Sequence, residues 1–157
     1  MNWVEVVWIA MSAASLTLGV VHLFVWGKQP TQYAHLLFFA VAASATAFGA
    51  FELALMRSSS TPGYAATLRW GHVSLATMVL AIIWFVYLHF GAGRLWLACA
   101  ASGLRLLALA LNFATGVNLN FREITSLDSL LLWGGVVVSA PAGVVNPWAV
   151  VPQVANL

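Results

Sequence analysis

The chain has 157 residues, of which 62% are hydrophobic and only 6% are charged, and its formal net charge is +2. An ordinary soluble domain carries roughly 25% charged residues, so this composition excludes a water-facing surface over most of the chain. The basic residues are scattered along the sequence, which gives no support to nucleic-acid binding. We therefore expect an integral membrane protein whose partners are membrane lipids and other transmembrane protein subunits.

Four apolar segments are each long enough to span a bilayer, which takes about 20 residues. They run over Trp3–Trp26, Thr31–Met56, Tyr64–Phe90 and Arg94–Ala114. The connections between them are short, so neighbours in sequence are expected to be antiparallel neighbours in space. The fold class predicted is an all-α integral membrane protein, with four transmembrane helices in an up-down bundle over residues 1–116.

A β-hairpin is predicted after the fourth helix. Leu130–Trp133 and Val136–Ser139 are rich in residues that favour strands. They flank Gly134-Gly135, a pair typical of a two-residue hairpin turn. The expected hairpin is short and lies outside the membrane on the helical bundle.

The rest of the segment 117–147 is expected to be an extramembrane loop, because irregular backbone is not tolerated in lipid. Val117–Ile124 is expected to be irregular, and Pro141 and Gly143 are expected to break the chain after the second strand. The polar and aromatic candidates for this loop are Asn118, Asn120, Arg122, Glu123, Asn146 and Trp148. Residues 148–157 are apolar but too few to span, so they predict the start of a fifth helix or an interfacial stub.

Ionisable residues inside membrane segments are costly and are functional candidates by default. Glu52 and Arg69 lie near one end of the predicted bundle, and His72 follows Arg69 by one helical turn. Arg105 lies about halfway along the fourth helix, and its long side chain can extend toward the same layer. The hypothesis is one buried charge network of Glu52, Arg69, His72 and Arg105. The alternative is that Glu52 and Arg69 are interfacial and exposed.

Histidines lie near the opposite end of the bundle: His22, His35 and His89. Two histidines on facing helices at equal depth are the axial ligands that a b-type haem requires. The alternative is that these are interfacial histidines hydrogen-bonded to lipid headgroups or to backbone carbonyls. The sequence offers bound lipids and a b-type haem as the candidate cofactors.

No catalytic motif is present in the sequence. It lacks a glycine-rich phosphate loop, an H-E-x-x-H pattern and a serine nucleophile elbow. Asp128 and Glu123 are unpaired carboxylates in the predicted loop, and Cys99 is the single cysteine, which excludes a cysteine-only metal cage. We expect a non-catalytic protein without a metal site.

Two stretches carry a family resemblance that extends over nearly the whole chain. They are Asn118–Thr125, which reads Asn-Leu-Asn-Phe-Arg-Glu-Ile-Thr, and Asn146-Pro147-Trp148 within Gly143–Trp148. With them the chain resembles the N-terminal membrane region of a group of proteobacterial sensor histidine kinases. Further matching stretches are Val21-His22-Leu23, Phe51-Glu52-Leu53, Leu68–Val73, Gly103-Leu104-Arg105 and Asn112-Phe113.

The resemblance implies a multi-pass protein of the bacterial inner (cytoplasmic) membrane, with a periplasmic N-terminus and a periplasmic 117–147 loop. It also implies that the four residues of the charge network belong to an outer-leaflet sensory site. Gly134-Gly135 departs from the family, in which a Gly-Glu step is usual, so one carboxylate is missing here. The sequence contains no kinase segment, and we expect neither ATP binding nor histidine phosphorylation from it.

Three functions remain open from the sequence. The first is a sensory or signal-input module that acts by packing against partner membrane proteins. The second is an accessory structural subunit of a larger photosynthetic or respiratory membrane complex, which the apolar hairpin and scarce polar surface favour. The third is a small b-type haem protein that uses two of the three histidines near one end of the bundle.

Overall fold

Four α-helices make up most of the chain in the computed structural model, which describes residues 2–91 and 93–151. They are α1 (Trp3–Lys28), α2 (Tyr33–Met56), α3 (Thr61–Phe90) and α4 (Leu95–Ala114). Each is long and apolar enough to cross a membrane, which confirms the four predicted segments.

Local signals set the helix ends. Asn2 caps α1 through a capping box, in which its side chain accepts the N–H of Glu5 at 2.9 Å and its own N–H donates to the Glu5 carboxylate at 3.1 Å. Ser60 caps α3 with its hydroxyl oxygen, and Pro62 lies in the first turn, so α3 begins three residues before the predicted Tyr64. Gly91 ends α3 in the left-handed conformation, with φ of 58°.

The helices pack in sequence order. Within the described residues, extensive helix–helix contacts join α1 to α2, α2 to α3 and α3 to α4, so the helices form a row in chain order and neighbours in sequence are neighbours in space, as expected. Small residues permit the close approach of α1 and α2, since a Cβ on Gly19 would lie 2.8 Å from the Ala42 side chain. The contact of α4 with α3 is the least extensive of the three, and α4 therefore forms one end of the row.

The helices bury small or polar side chains and expose large apolar ones. The face that α4 turns toward α3 consists of Ala98, Ser102, Arg105, Ala108 and Asn112. Most of its leucines are exposed, as are most of the large apolar residues of α1. This distribution is the reverse of that in a water-soluble helical protein, and it suits a surrounding of lipid or of other helices.

A two-stranded antiparallel sheet follows α4, with β1 (Phe121–Leu132) paired to β2 (Val136–Val145). Trp133, Gly134 and Gly135 form the turn, and both glycines have positive φ, 79° and 76°. The N–H of Gly135 donates to the carbonyl of Leu132 at 3.2 Å. The predicted hairpin around Gly134-Gly135 is confirmed, with a three-residue turn in place of the expected two.

The strands are longer than the sequence predicted. β1 already begins at Phe121, inside the stretch expected to be irregular, and β2 continues through Pro141 and Gly143, so the expected breaks are wrong. A two-stranded sheet has two outer edges, and the missing N–H of Pro141 is tolerated there. Gly143 fits because its backbone lies directly against the carbonyl of Glu123, where a Cβ would clash.

The hairpin lies over one end of the helix row. Ile124 packs into a cluster with Leu55, Tyr64 and Ala65, and Ser139 donates its hydroxyl to the carbonyl of Ser58 at 2.6 Å. A 3₁₀ helix (Pro147–Ala149) follows β2. Most of the predicted fifth helix or stub, residues 152–157, lies outside the described residues.

Candidate functional site

A cavity of about 320 Å³ lies between α2, α3 and α4, at the end of the row that the hairpin covers. Its wall is mostly apolar, and Asn120 from the loop after α4 contributes to its rim. The apolar residues that line it include Phe48, Phe51, Leu55, Leu68 and Leu75. Glu52, His72 and Arg105 bring two charges and an imidazole to the same cavity.

Arg105 is the most deeply buried of these polar groups, with 3% of the residue exposed. The spacing of Ala98, Ser102, Arg105, Ala108 and Asn112 places it on the face of α4 that meets α3. Its Nε is buried and has no hydrogen-bond partner among the described residues. A guanidinium nitrogen that is buried without an acceptor is costly, because it has lost its water and gained no hydrogen bond in return.

Glu52 and His72 face Arg105 from the neighbouring helices. Both are half-buried. The single ion pair within residues 2–91 and 93–151 joins Arg57 to Glu5 at 2.8 Å, and neither of these residues lines the cavity. The Nδ1–H of His72 donates to the carbonyl of Leu68 at 2.8 Å. In the neutral imidazole that tautomer leaves Nε2 as a hydrogen-bond acceptor.

Arg69, the fourth member of the expected network, lies outside the cavity. Its guanidinium donates to the carbonyl of Gly116 at 3.0 Å, and it lines a neighbouring pocket together with Glu123 and Ile124. Positions three apart on a helix differ by about 60° around the axis, which is enough to turn Arg69 and His72 toward different neighbours. The structure therefore brings together three of the four predicted residues, and it places them around a cavity without ion pairs between them.

Buried asparagines hold the loop that borders the cavity. Asn118 is fully buried, and its side-chain oxygen accepts the N–H groups of Asn120 at 2.9 Å and Phe121 at 2.8 Å. Asn146 donates from its amide to the carbonyl of Asn118 at 2.9 Å and to the Thr115 hydroxyl at 3.1 Å. Two of the predicted loop residues, Asn118 and Asn146, thus have a structural role that fixes the backbone of Asn120.

The remaining predicted loop residues are on the surface. Arg122, Glu123 and Trp148 are exposed, and none of them lines the cavity between α2, α3 and α4. Asn112 was singled out only within the family resemblance, although it is fully buried and bonds both α3 and the loop. A single amide side chain close to the end of an apolar helix is the sequence feature that could have indicated this role of Asn112.

The three histidines line a second cavity, of about 620 Å³, at the opposite end of the row. His22 and His35 bond to one another through their Nδ1 atoms at 2.8 Å, and His35 Nε2 lies 3.1 Å from Gln32 Oε1. Because the Gln32 oxygen accepts, His35 carries its proton on Nε2 and His22 donates from Nδ1. His89 stacks on Phe85 at the same end.

The mutual bond between His22 and His35 has a consequence for haem binding. Axial ligation places iron and its macrocycle between two imidazoles, each Fe–N bond being about 2 Å, whereas these rings are in direct contact. A haem held by this pair requires the two rings to separate. Within the described residues, no group of three or more histidine, cysteine or acidic side chains is arranged to hold a metal ion.

Comparison of the chain with protein-family models, with curated proteins and with solved structures found no match. Its function is therefore inferred from its own geometry. The cavity that holds Arg105 is the stronger candidate, since it combines an apolar wall with a buried Arg105 Nε that lacks a partner among the described residues.

Proposed function

We propose that this chain is a non-catalytic integral membrane protein of the bacterial cytoplasmic membrane that serves as a signal-input module. The observation that carries the proposal is the buried Arg105, whose Nε has no partner in a cavity shared with Glu52 and His72. Structural helices rarely retain a buried arginine with an unpartnered nitrogen, whereas a ligand site keeps such a donor for its ligand. The resemblance to membrane regions of sensor histidine kinases supports the same function.

The position of α4 supports a route for the signal. α4 carries Arg105, packs extensively on α3 alone, and exposes Leu104, Leu106 and Leu107 on its outer side. A ligand held between Arg105 and the residues of α2 and α3 therefore contacts α4, the helix with the least extensive packing in the row, and can shift its position. The exposed leucines then offer partner transmembrane proteins a surface whose position depends on the ligand.

The location of the hairpin supports the orientation. The N-terminus, the α2–α3 loop and the hairpin lie at one end of the row, as the contacts of Trp3 and Ser58 with the hairpin require. We place this end on the periplasmic side, following the resemblance. The cavity then opens toward the outer leaflet, where an external signal arrives.

Photo-crosslinking in native membranes tests the partner contact. A benzoylphenylalanine at Leu107, on the outer side of α4, is expected to crosslink to another membrane protein. Arg105→Gln is expected to change the crosslinking yield at least about twofold, because it alters the cavity that positions α4. The same probe at Leu18, which is exposed on α1 at the far end of the row, serves as the control. Crosslinks that are absent at Leu107, or that Arg105→Gln leaves unchanged, contradict the signal-input function.

An accessory structural subunit is the second candidate, and the hairpin tip favours it. Leu130, Leu131 and Trp133 are exposed there, with 88% of Trp133 accessible. A structural subunit is expected to migrate in a complex of fixed composition after gentle detergent extraction. Arg105→Gln leaves such a complex intact, which separates this function from signal input.

A further inference from the structure

We propose that the cavity between α2, α3 and α4 binds a zwitterion that carries an apolar group, with its anion at Arg105 and its ammonium at Glu52 and His72. This deepens the proposed function and rests on it for its role in signalling. The binding itself stands on the groups that line the cavity.

The polar groups of the cavity divide into two complementary sets. Arg105 and the side-chain amide of Asn120 supply N–H donors, and a guanidinium is the side chain best suited to a carboxylate or phosphate. Glu52 offers a carboxylate, and His72 offers Nε2, because its Nδ1–H already donates to Leu68. An ammonium is a donor only, so it is the group that satisfies both acceptors.

Charge balance selects a zwitterion over an ion of one sign. Glu52 and Arg105 face the same cavity, and the described residues contain no ion pair between them. An anion alone compensates Arg105 and is repelled by Glu52, whereas a cation alone has the reverse effect. A ligand with both charges compensates both residues and adds no net charge to a site of low dielectric.

The size and wall of the cavity define the rest of the ligand. Its volume of about 320 Å³ equals the share of about ten water molecules, which suits a small molecule or the headgroup of a larger one. Phe48, Phe51 and Leu75 offer an apolar surface beside the polar groups. The ligand is thus an amino-acid-like molecule with an aromatic or aliphatic group, or the headgroup of phosphatidylethanolamine.

The position of the cavity is compatible with both sources. Glu52 lies four residues before the end of α2 at Met56, or about 6 Å below that end at 1.5 Å per residue. Arg105 lies nine residues before the end of α4, or about 14 Å below it. A headgroup reaches this depth from the outer leaflet, and a free zwitterion reaches it from the aqueous side.

Equilibrium dialysis of the full chain in phosphatidylcholine nanodiscs tests the proposal, since choline has no N–H to donate. L-phenylalanine is expected to bind saturably. Phenylpropanoate lacks the ammonium and phenethylamine lacks the carboxylate, and each is expected to bind about tenfold more weakly or worse. Glu52→Gln and Arg105→Gln are expected to weaken L-phenylalanine binding by a similar factor, whereas Arg94→Gln, at an exposed arginine beyond the other end of α4, leaves it unchanged.

Native mass spectrometry tests whether the protein retains a bound phospholipid. If L-phenylalanine does not bind, the proposal requires one phosphatidylethanolamine retained by the wild-type protein and lost from Glu52→Gln and Arg105→Gln. Helix content by circular dichroism verifies that the variants fold, and Asn120→Ala, in the loop, replaces any variant that does not. The proposal is overturned if neither zwitterion is held, or if phenylpropanoate binds as tightly as L-phenylalanine. Binding without any change in the Leu107 crosslink contradicts the signal-input function alone.

Discussion

The side-chain amide of Asn112 donates to the main-chain carbonyl of Arg69 at 2.9 Å and so ties the last turns of α4 to α3. Its oxygen accepts the N–H of Leu119 at 2.9 Å, and the whole residue is buried. One amide therefore ties the two helices together and fixes the path of the loop that borders the cavity between α2, α3 and α4.

Asn112→Ala is expected to lower the free energy of unfolding by about 1–3 kcal/mol, because it leaves the buried N–H of Leu119 without a partner. Denaturant unfolding of the purified protein in mixed micelles measures this loss. Asn120→Ala is the matched control, since no hydrogen bond of the Asn120 side chain is found among the described residues, and it is expected to stay close to wild type. Equal losses in the two variants would argue against a structural role for Asn112.

Arg105→Gln is expected to leave stability unchanged or to raise it by about 1 kcal/mol, because it removes a buried charge without a partner. The same micelle unfolding assay gives the comparison. A gain or no change in stability, together with lost ligand binding, identifies a side chain kept for binding. A loss of several kcal/mol would instead indicate that Arg105 is part of the structural core.

Gly143→Ala is expected to destabilise the hairpin, because the new Cβ would clash with the carbonyl of Glu123 on the paired strand. The amides of β1 and β2 should then exchange with deuterium faster than in wild type. Gly103→Ala on the exposed side of α4 is the control, since a Cβ there has open space around it, and it is expected to be neutral or slightly stabilising. Equal exchange in both variants would contradict the close approach at Gly143.

Cysteine labelling tests the membrane arrangement. In a Cys99→Ser background, single cysteines replace Ser59 in the α2–α3 loop, Ser129 in β1 or Gln29 after α1. A membrane-impermeant maleimide applied from the periplasmic side is expected to label the first two and spare the third, because the hairpin and the α2–α3 loop lie at the same end of the row. Labelling of all three, or of Gln29→Cys alone, would contradict the proposed orientation.

Titration with haem tests the remaining cofactor hypothesis. Because His22 and His35 bond to one another, we expect no bis-histidine Soret band on adding haem to the purified protein. His22→Ala and His35→Ala provide the comparison. A band that appears in wild type and disappears in both variants would restore the b-type haem function.

The helices and their packing in sequence order were predictable, whereas the details of their contacts were not. Long apolar runs bounded by Asn2, Ser60 and Gly91 carry enough local information to fix the four segments, because caps and composition act within a turn or two. The close approach of each pair of helices follows from which small faces meet, a property of pairs that no single segment contains. The continuation of β2 through Pro141 was missed for the same reason, since its tolerance depends on the position of the strand in the sheet.

The candidate site was likewise predictable from the sequence only in part. Ionisable residues within apolar segments are visible in the sequence, and three of the four that were expected to form one network, Glu52, His72 and Arg105, line one cavity. The exclusion of Arg69 depends on an angle around α3 and on the carbonyl of Gly116, both of which exist only in the assembled fold. Asn120 was assigned to the loop, and its place beside the cavity is set by the hydrogen bonds of Asn118.

Trp3 donates its indole N–H to the carbonyl of Trp133 at 3.0 Å, and this bond joins residues 130 positions apart. The helices, by contrast, pack on their neighbours in sequence, so each pair can assemble as soon as its second member has been synthesised. The contact between the N-terminal helix and the hairpin therefore forms only after all four helices have emerged from the ribosome. A nascent chain stalled before Trp133 therefore lacks this contact.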